Sequence, residues 1–471
     1  MYVPNHNFSL DDIRAIHQLS LELLAETGVE FPSRPTRDFF RDHGYRVEGE
    51  KVFITQPQLE AALKTAPPAF DIRARNPERS LTLGGDRRVT APTAGATQIA
   101  DAEGRTVPAT MEHYRNLARL IQTSNLNMPM AHQVCHPQEL PAETAYLDMF
   151  LCDITQTDRV LTANTTSPEK VENFLRLLEL IFGGRAEVER GACSINVINP
   201  CTPLKYAADQ SESLILLAGA NQPAAVTNMM MLGATAPLSV PGALAVGNAE
   251  ILAGIVLAQL VRPGAPVVYG STSCPMDMKT MVAILGAPET VWLSKGAQAL
   301  ADFYGLPCRT GGSLTDSHQP DAQAMTDGSL LFHNALTGGA HYMLHSFGMM
   351  GSYLSASFEK FVIDEEMVSL ALAALKVPEV SPATLEADLI KRLGSKADYL
   401  TQGSTIKGFR RLYRSKFFNR SAYDQWLGRG RPSILEAAAA EVRRRLEAWE
   451  KPPIDPQMEK ELESFITSLK R

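Results

Sequence analysis

The stretch GGSLTDSHQPDAQA, residues 311–324, gathers glycines, aspartates, a histidine and glutamine just after an apolar approach. Carboxylates and an imidazole can move protons, and Gly311 and Gly312 allow backbone N–H groups to approach an anion closely. A helix beginning near Asp321 would add its positive N-terminal end. Turn chemistry accounts for the same glycines equally well. Histidines elsewhere suggest metal chemistry: His333, His341 and His345 cluster in sequence, and His132, Cys135 and His136 form an HxxCH. Yet His341 and His345 flank a strand-like YML, which separates them by roughly 13 Å along a strand axis, too far for one ion. No second ligand pair at a recognised spacing accompanies the HxxCH, so no bound metal is expected. The chain also lacks GxSxG, GxGxxG after a strand, and GxxxxGK[ST], which removes the usual acyl-transfer, nicotinamide and nucleotide sites.

What remains is a set of polar residues that close apolar runs: Asn164, Asn199, Asn228, Ser271, Asp316 and His345. Singly, such residues make turns and cap helices. Together they could line one mouth. Tyr269, Phe347 and Tyr353 fall near the same run ends, where rings could surround a quaternary ammonium by cation–π attraction, although core packing explains each one alone.

The runs themselves are MPMAHQVCHP (128–137), RVLTANTTS (159–167), ACSINVINP (192–200), AAVTNMMMLG (224–233), PVVYGSTSC (266–274), PCRTGGSLTD (307–316) and HYMLHSFGMM (341–350). Helical patterns separate them, including 168–182, 249–260, 287–304 and 322–337, the last two followed by Gly305 and Gly338 as stops. β-then-α at this spacing, repeated seven or eight times, predicts a (β/α)8 barrel of the α/β class, with the chemistry at the C-terminal strand ends. The eighth strand has no visible place. Residues 1–110 read as an N-terminal extension, with helices at 10–26 and 57–65 and then β-structure over 70–101. Residues 111–375 form the barrel, and 376–471 a C-terminal helical cap.

Composition narrows the function. A net charge of −7, with no basic run longer than Arg443–Arg445, argues against nucleic acid. Neither a signal peptide nor eighteen uninterrupted apolar residues is visible, so a cytoplasmic protein without a membrane span is expected. Six dispersed cysteines suggest no disulfide framework.

RTGGSLTDSHQPDAQA, followed by HSFGMMGSYLSASFEKFVIDEEMV, carries a further signal. With the upstream SLELLAETGVEF, APPAFDIRARNPERSLTLGG and GNAEILAGIVLAQLVRPGAPVVYGSTS, these segments resemble the trimethylamine:corrinoid methyltransferase superfamily over nearly the whole chain. The sequence contains only the twenty standard residues, so the resemblance is to the non-pyrrolysine branch, whose relatives use glycine betaine, carnitine or proline betaine. It implies transfer of a methyl group from a quaternary amine to Co(I) of a separate corrinoid protein, in one-carbon metabolism of the methanogenic type. A corrinoid on the partner, no metal on this chain, and a homo-oligomer go with it. On this basis His345, Asp316 and Glu359 are the catalytic candidates, as pocket or loop-positioning groups. Asp321 and Gln323 support them, Tyr269 and Phe347 are expected as cage walls, and Gly311, Gly312 and Asn199 complete the substrate pocket. The position replacing pyrrolysine is expected within 311–324 or near His345. Two rivals stand beside this reading: a metal-dependent barrel hydrolase built on His132, His136 and His345, and a non-catalytic betaine-binding protein.

Overall fold

A computed structural model describes residues 6–396 and 398–470. At its centre lies a curled sheet of parallel strands: β1 (Val89–Pro92), β2 (Asn196–Ile198), β3 (Ala224–Asn228), β4 (Val267–Ser271), β5 (Cys308–Gly311) and β6 (Tyr342–Phe347). Their order is β1-β6-β5-β4-β3-β2, with every pairing parallel. Two extended segments close the remaining arc. The Ile195 amide donates to the Leu161 carbonyl, Met130 to Val160, Gly95 to Gln133 and His136 to Ala96, at 2.7–3.1 Å. These segments, around 128–136 and 160–162, run as staves without a regular ladder. Pro129 and Pro137 bound the first of them, and a proline has no amide to give a ladder.

The eighth stave, which has no visible place in the sequence, is therefore the first in the chain. β1 pairs with β6 across some 250 residues, with Tyr342 opposite Val89 and Met343 opposite Thr90. The barrel thus begins inside the segment read as an extension. Of that segment's other β-structure, Ala69–Ile72 and Leu81–Gly84 form an antiparallel hairpin outside the barrel.

A helix follows each stave: α1 (Met111–Gln122), α2 (Ala145–Gln156), α3 (Pro168–Phe182), α4 (Ala208–Gly219), α5 (Val240–Val261), α6 (Pro288–Phe303), α7 (Ala322–Thr337) and α8 (Phe358–Ala374). Local signals set many of their ends. Ser167 caps α3 ahead of Pro168, and Gly183 ends it at φ 87°. The Asp321 side chain accepts the Ala324 amide at the start of α7.

α5 begins nine residues earlier than the pattern 249–260 suggests, because it is apolar on every side and shows no face-to-face contrast. Its 22 residues would be long and apolar enough to cross a membrane, but 83% of the relevant window is buried in protein. The helices Leu10–Glu22 and Gln56–Leu63 cover its outer side. At the other end of the chain, Ile434–Glu447 packs on α8 and α1, and Pro456–Leu469 on α2 and α3. The buried Arg445 fastens the first of these, donating to the Glu365 carboxylate, the Leu120 carbonyl and the Thr123 hydroxyl. These terminal helices enclose the barrel's sides and leave its mouth to the strand-end loops.

Candidate active site at the barrel mouth

A cavity of about 530 Å³ opens at the C-terminal ends of the strands. Its walls come from nearly every stave: Ala94 after β1, His132, Thr162 and Asn164, Asn199 after β2, Met229 after β3, Thr272 after β4, Arg309 in β5, and His345 in β6. No aspartate, glutamate or lysine lines it. Arg309 is the single permanently charged side chain among the lining residues.

Arg309 is 3% exposed, and its Nε and Nη1 have no hydrogen-bond partner in the protein. Burial lowers its pKa, which measures how unfavourable the charge is where it stands. A buried guanidinium with free donors costs several kcal/mol unless something anionic meets it, and a carboxylate matches its planar fork. Sequence reasoning missed this residue. The available signal was a lone cation inside the apolar run PCRTGG.

His345 stands beside it. The ring is buried, its Nδ1 accepts the Ala94 amide at 3.3 Å, and it meets the Tyr353 ring edge to face with the centroids 5.1 Å apart. Burial, reinforced by Arg309, holds its pKa well below 6.5. The ring is therefore neutral, with Nδ1 as acceptor and its proton on Nε2. Its backbone lies at φ 62°, and Ser352 and Tyr353 at φ 51° and 76°. Non-glycine residues in that region cost energy and concentrate where a site needs a particular direction. At His345 the departure breaks the inward–outward alternation of β6, so that Leu344 and His345, consecutive in sequence, both line the cavity.

Two expected cage walls lie elsewhere. Phe347 does not wall the cavity; it is fully buried with its ring 5.5 Å from Phe361 of α8. Tyr269 is likewise outside, its hydroxyl donating 3.0 Å to Asn248 of α5. Strand alternation turns it toward the helical layer. The rings that do face the cavity are Tyr342, Tyr353, His132 and His345.

None of residues 311–324 lines this cavity. Asp316 is a tie between loops. Its carboxylate accepts the Leu285 and Gly286 amides at 2.8 and 2.9 Å, and the Ser352 hydroxyl at 2.6 Å, next to Tyr353. Asp321 accepts from Ser317 and Ala324 at 2.9 Å. Gln323 is exposed, with a 3.5 Å contact to Asp327. Glu359 takes the Ser357 hydroxyl at 3.2 Å in the first turn of α8. Gly312 serves packing: a Cβ there would sit 2.5 Å from the Ser346 Cα, on backbone that cannot yield. At Gly311 a Cβ would meet only the Leu314 side chain, at 2.7 Å. Asn199 does line the cavity, with its amide group donating to the Thr227 carbonyl at 2.8 Å. Of the expected site residues, then, the structure brings together His345 and Asn199. Asp316 holds the loop that carries Tyr353.

Among the described residues no group of three or more His, Cys, Asp and Glu side chains is placed to hold a metal ion. His132 instead gives its Nδ1 to Asp153 at 2.9 Å, while His136 lies outside the cavity.

A barrel mouth that offers rings, a neutral histidine and an unsatisfied cation is the place where enzymes of the (β/α)8 class bind and transform small molecules. The chain belongs to the trimethylamine methyltransferase (MTTB) family, whose profile matches residues 2–471. It is 33% identical to the glycine betaine methyltransferase of Desulfitobacterium hafniense, over 98% of this chain and 97% of that one. It is 28% identical to the proline betaine:corrinoid methyltransferase of Eubacterium limosum, over 95% and 94%. The monomethylamine methyltransferase of Methanosarcina barkeri shares its fold at a TM-score of 0.51 and 10% identity, over 93% of this chain and 90% of that one.

Proposed function

We propose that this methyltransferase moves a methyl group from a carboxylate-bearing quaternary amine, glycine betaine or a close relative, to Co(I) of a separate corrinoid protein. The observation that carries the choice is Arg309, a buried guanidinium with free donors in a mouth otherwise without permanent charge. Trimethylamine would leave that cation unanswered; the carboxylate of a betaine satisfies it. A quaternary nitrogen also departs as a neutral tertiary amine, keeping the electron pair of the broken N–CH₃ bond, so the protein need not protonate the leaving group first.

What the chain contributes is orientation and exclusion of water. Arg309 and the Nε2–H of His345 grip the carboxylate, Tyr342 and Tyr353 wall the ligand, and the N-methyl groups are turned to the open mouth where the partner's corrin ring must approach. The cofactor brings the nucleophile, and the barrel brings the geometry. Co(I) demands a reducing setting, which suits a cytoplasmic protein whose six cysteines are all free.

The direct test is spectroscopic. Under anaerobic conditions, a reduced corrinoid protein should become methylated with glycine betaine and not with trimethylamine or choline. Failure with every carboxylate-bearing quaternary amine would remove the proposal. His345→Ala is expected to lower kcat/KM for the betaine by about 10- to 100-fold, as for loss of one hydrogen bond to a charged group, while the thermal transition stays intact. Unchanged turnover would take His345 out of the site.

A further inference from the structure

Arg309 answers only one end of a zwitterion. On another wall of the same cavity stands His132, 6% exposed, with its ring stacked 4.2 Å from Phe150. Its Nδ1 lies 2.9 Å from an oxygen of Asp153, and its Nε2, on the far side of the ring, is buried without a partner in the protein. Asp153 is itself buried in α2. It receives the Tyr114 hydroxyl at 2.7 Å on its other oxygen, and among the described residues it has no ion pair with Lys or Arg. Burial raises the pKa of this carboxyl, and the contacts with His132 and Tyr114 act in the opposite direction.

We propose that His132 and Asp153 form the anionic pole of the cavity and hold the quaternary ammonium, opposite in role to Arg309. This inference rests on the betaine reading above. With Nδ1–H donated to Asp153, the imidazole keeps an unpartnered Nε2 lone pair within the cavity wall, and the ionised form of the pair sets one negative charge behind a lining that contains no carboxylate. That suits an N⁺(CH₃)₃ group, which has no N–H to donate and spreads its charge over methyl hydrogens. A bare carboxylate would demand desolvation, whereas an imidazole backed by one offers a softer face with the same field. Placing opposite charges on different walls also sets the direction in which a zwitterion can lie. No sequence motif announces the pair, because His132 and Asp153 belong to different elements.

The experiment compares two ligands of one shape. Glycine betaine and 3,3-dimethylbutanoate share the carboxylate and the outline, and differ by N⁺ against carbon. Calorimetric titration of the wild-type protein should show betaine bound at least about tenfold more tightly, the scale of one partly screened charge contact. Asp153→Asn should raise the Kd of betaine by about tenfold or more and leave that of the carbon isostere within about threefold. Equal weakening of both ligands would reduce Asp153 to a structural role and overturn the proposal. So would an unchanged betaine Kd, or a wild-type protein that does not distinguish the two ligands, a measurement that stands even if the variant does not fold. Failure of wild-type protein to bind either carboxylate, by contrast, points to Arg309 and sinks the betaine reading itself.

Discussion

Arg309→Leu is expected to lower kcat/KM for betaine demethylation by at least about 100-fold and, at the same time, to leave the protein as stable as before or more so. The two halves have one cause. With no partner in the protein for Nε or Nη1, the guanidinium is a buried charge whose desolvation nothing in the fold repays. Removing it relieves the folded state, whereas the substrate carboxylate loses a charge-assisted contact of the kind that costs about 2–5 kcal/mol when one partner is truncated. Sites that carry function commonly show this opposition of activity and stability. Steady-state kinetics and a thermal melt on the same preparation check it. A variant that loses stability along with activity would mean that Arg309 is part of the scaffold.

The second large effect is in folding. Lys360 and Asp364, one turn apart in α8, are both fully buried and meet at 2.7 Å. The lysine also donates to the Ser313 carbonyl and hydroxyl at 3.0 Å, and the aspartate accepts the Gly348 amide and the Ser313 hydroxyl at 2.8 Å. The pair therefore ties the loops leaving β5 and β6 to the helix that follows them. Lys360→Met should destabilise the protein by about 3–5 kcal/mol, the cost of leaving a buried carboxylate without its cation. Lys360→Met with Asp364→Leu should recover part of that loss, since replacing both partners by apolar groups is often close to neutral. Urea unfolding of the single and double variants measures the coupling. Equal stability of the double and single variants would mean that the hydrogen bonds to Ser313 and Gly348, rather than the ion pair, carry the tie.

Both residues lie in FEKFVID, within one of the stretches that carries the family resemblance, and the pair makes that stretch intelligible. Its chemistry is internal bracing, with Glu359 at its half-buried edge. The polar richness of 311–324 has a similar meaning: Ser313 spends its hydrogen bonds on α8, Asp316 on neighbouring loops and Asp321 on the start of α7. From sequence alone, polar residues after a strand read as site residues and as turn residues equally well, and here most are the latter. Asn164, Asn199 and His345 are the exceptions, and His345 reaches the cavity through a backbone conformation that no residue pattern specifies.

Local order was legible. Helices α3 and α7 run over the residues that their caps and stops predict, and five of the seven apolar runs, all but those at 128–137 and 159–167, lie on strands of the central sheet with their polar ends at the mouth. Such signals act within a few residues, where capping, periodicity and turn chemistry operate. The runs at 128–137 and 159–167 take their places as well, through irregular hydrogen bonding. Which strand closes the ring was not legible, because β1 finds β6 only when the chain has curled through every intervening unit. Nor was the composition of the site. Whether two adjacent side chains both enter a cavity depends on a single φ in β6, and whether a buried charge is satisfied depends on neighbours from distant staves. Those are properties of packing in three dimensions, and only the folded barrel decides them.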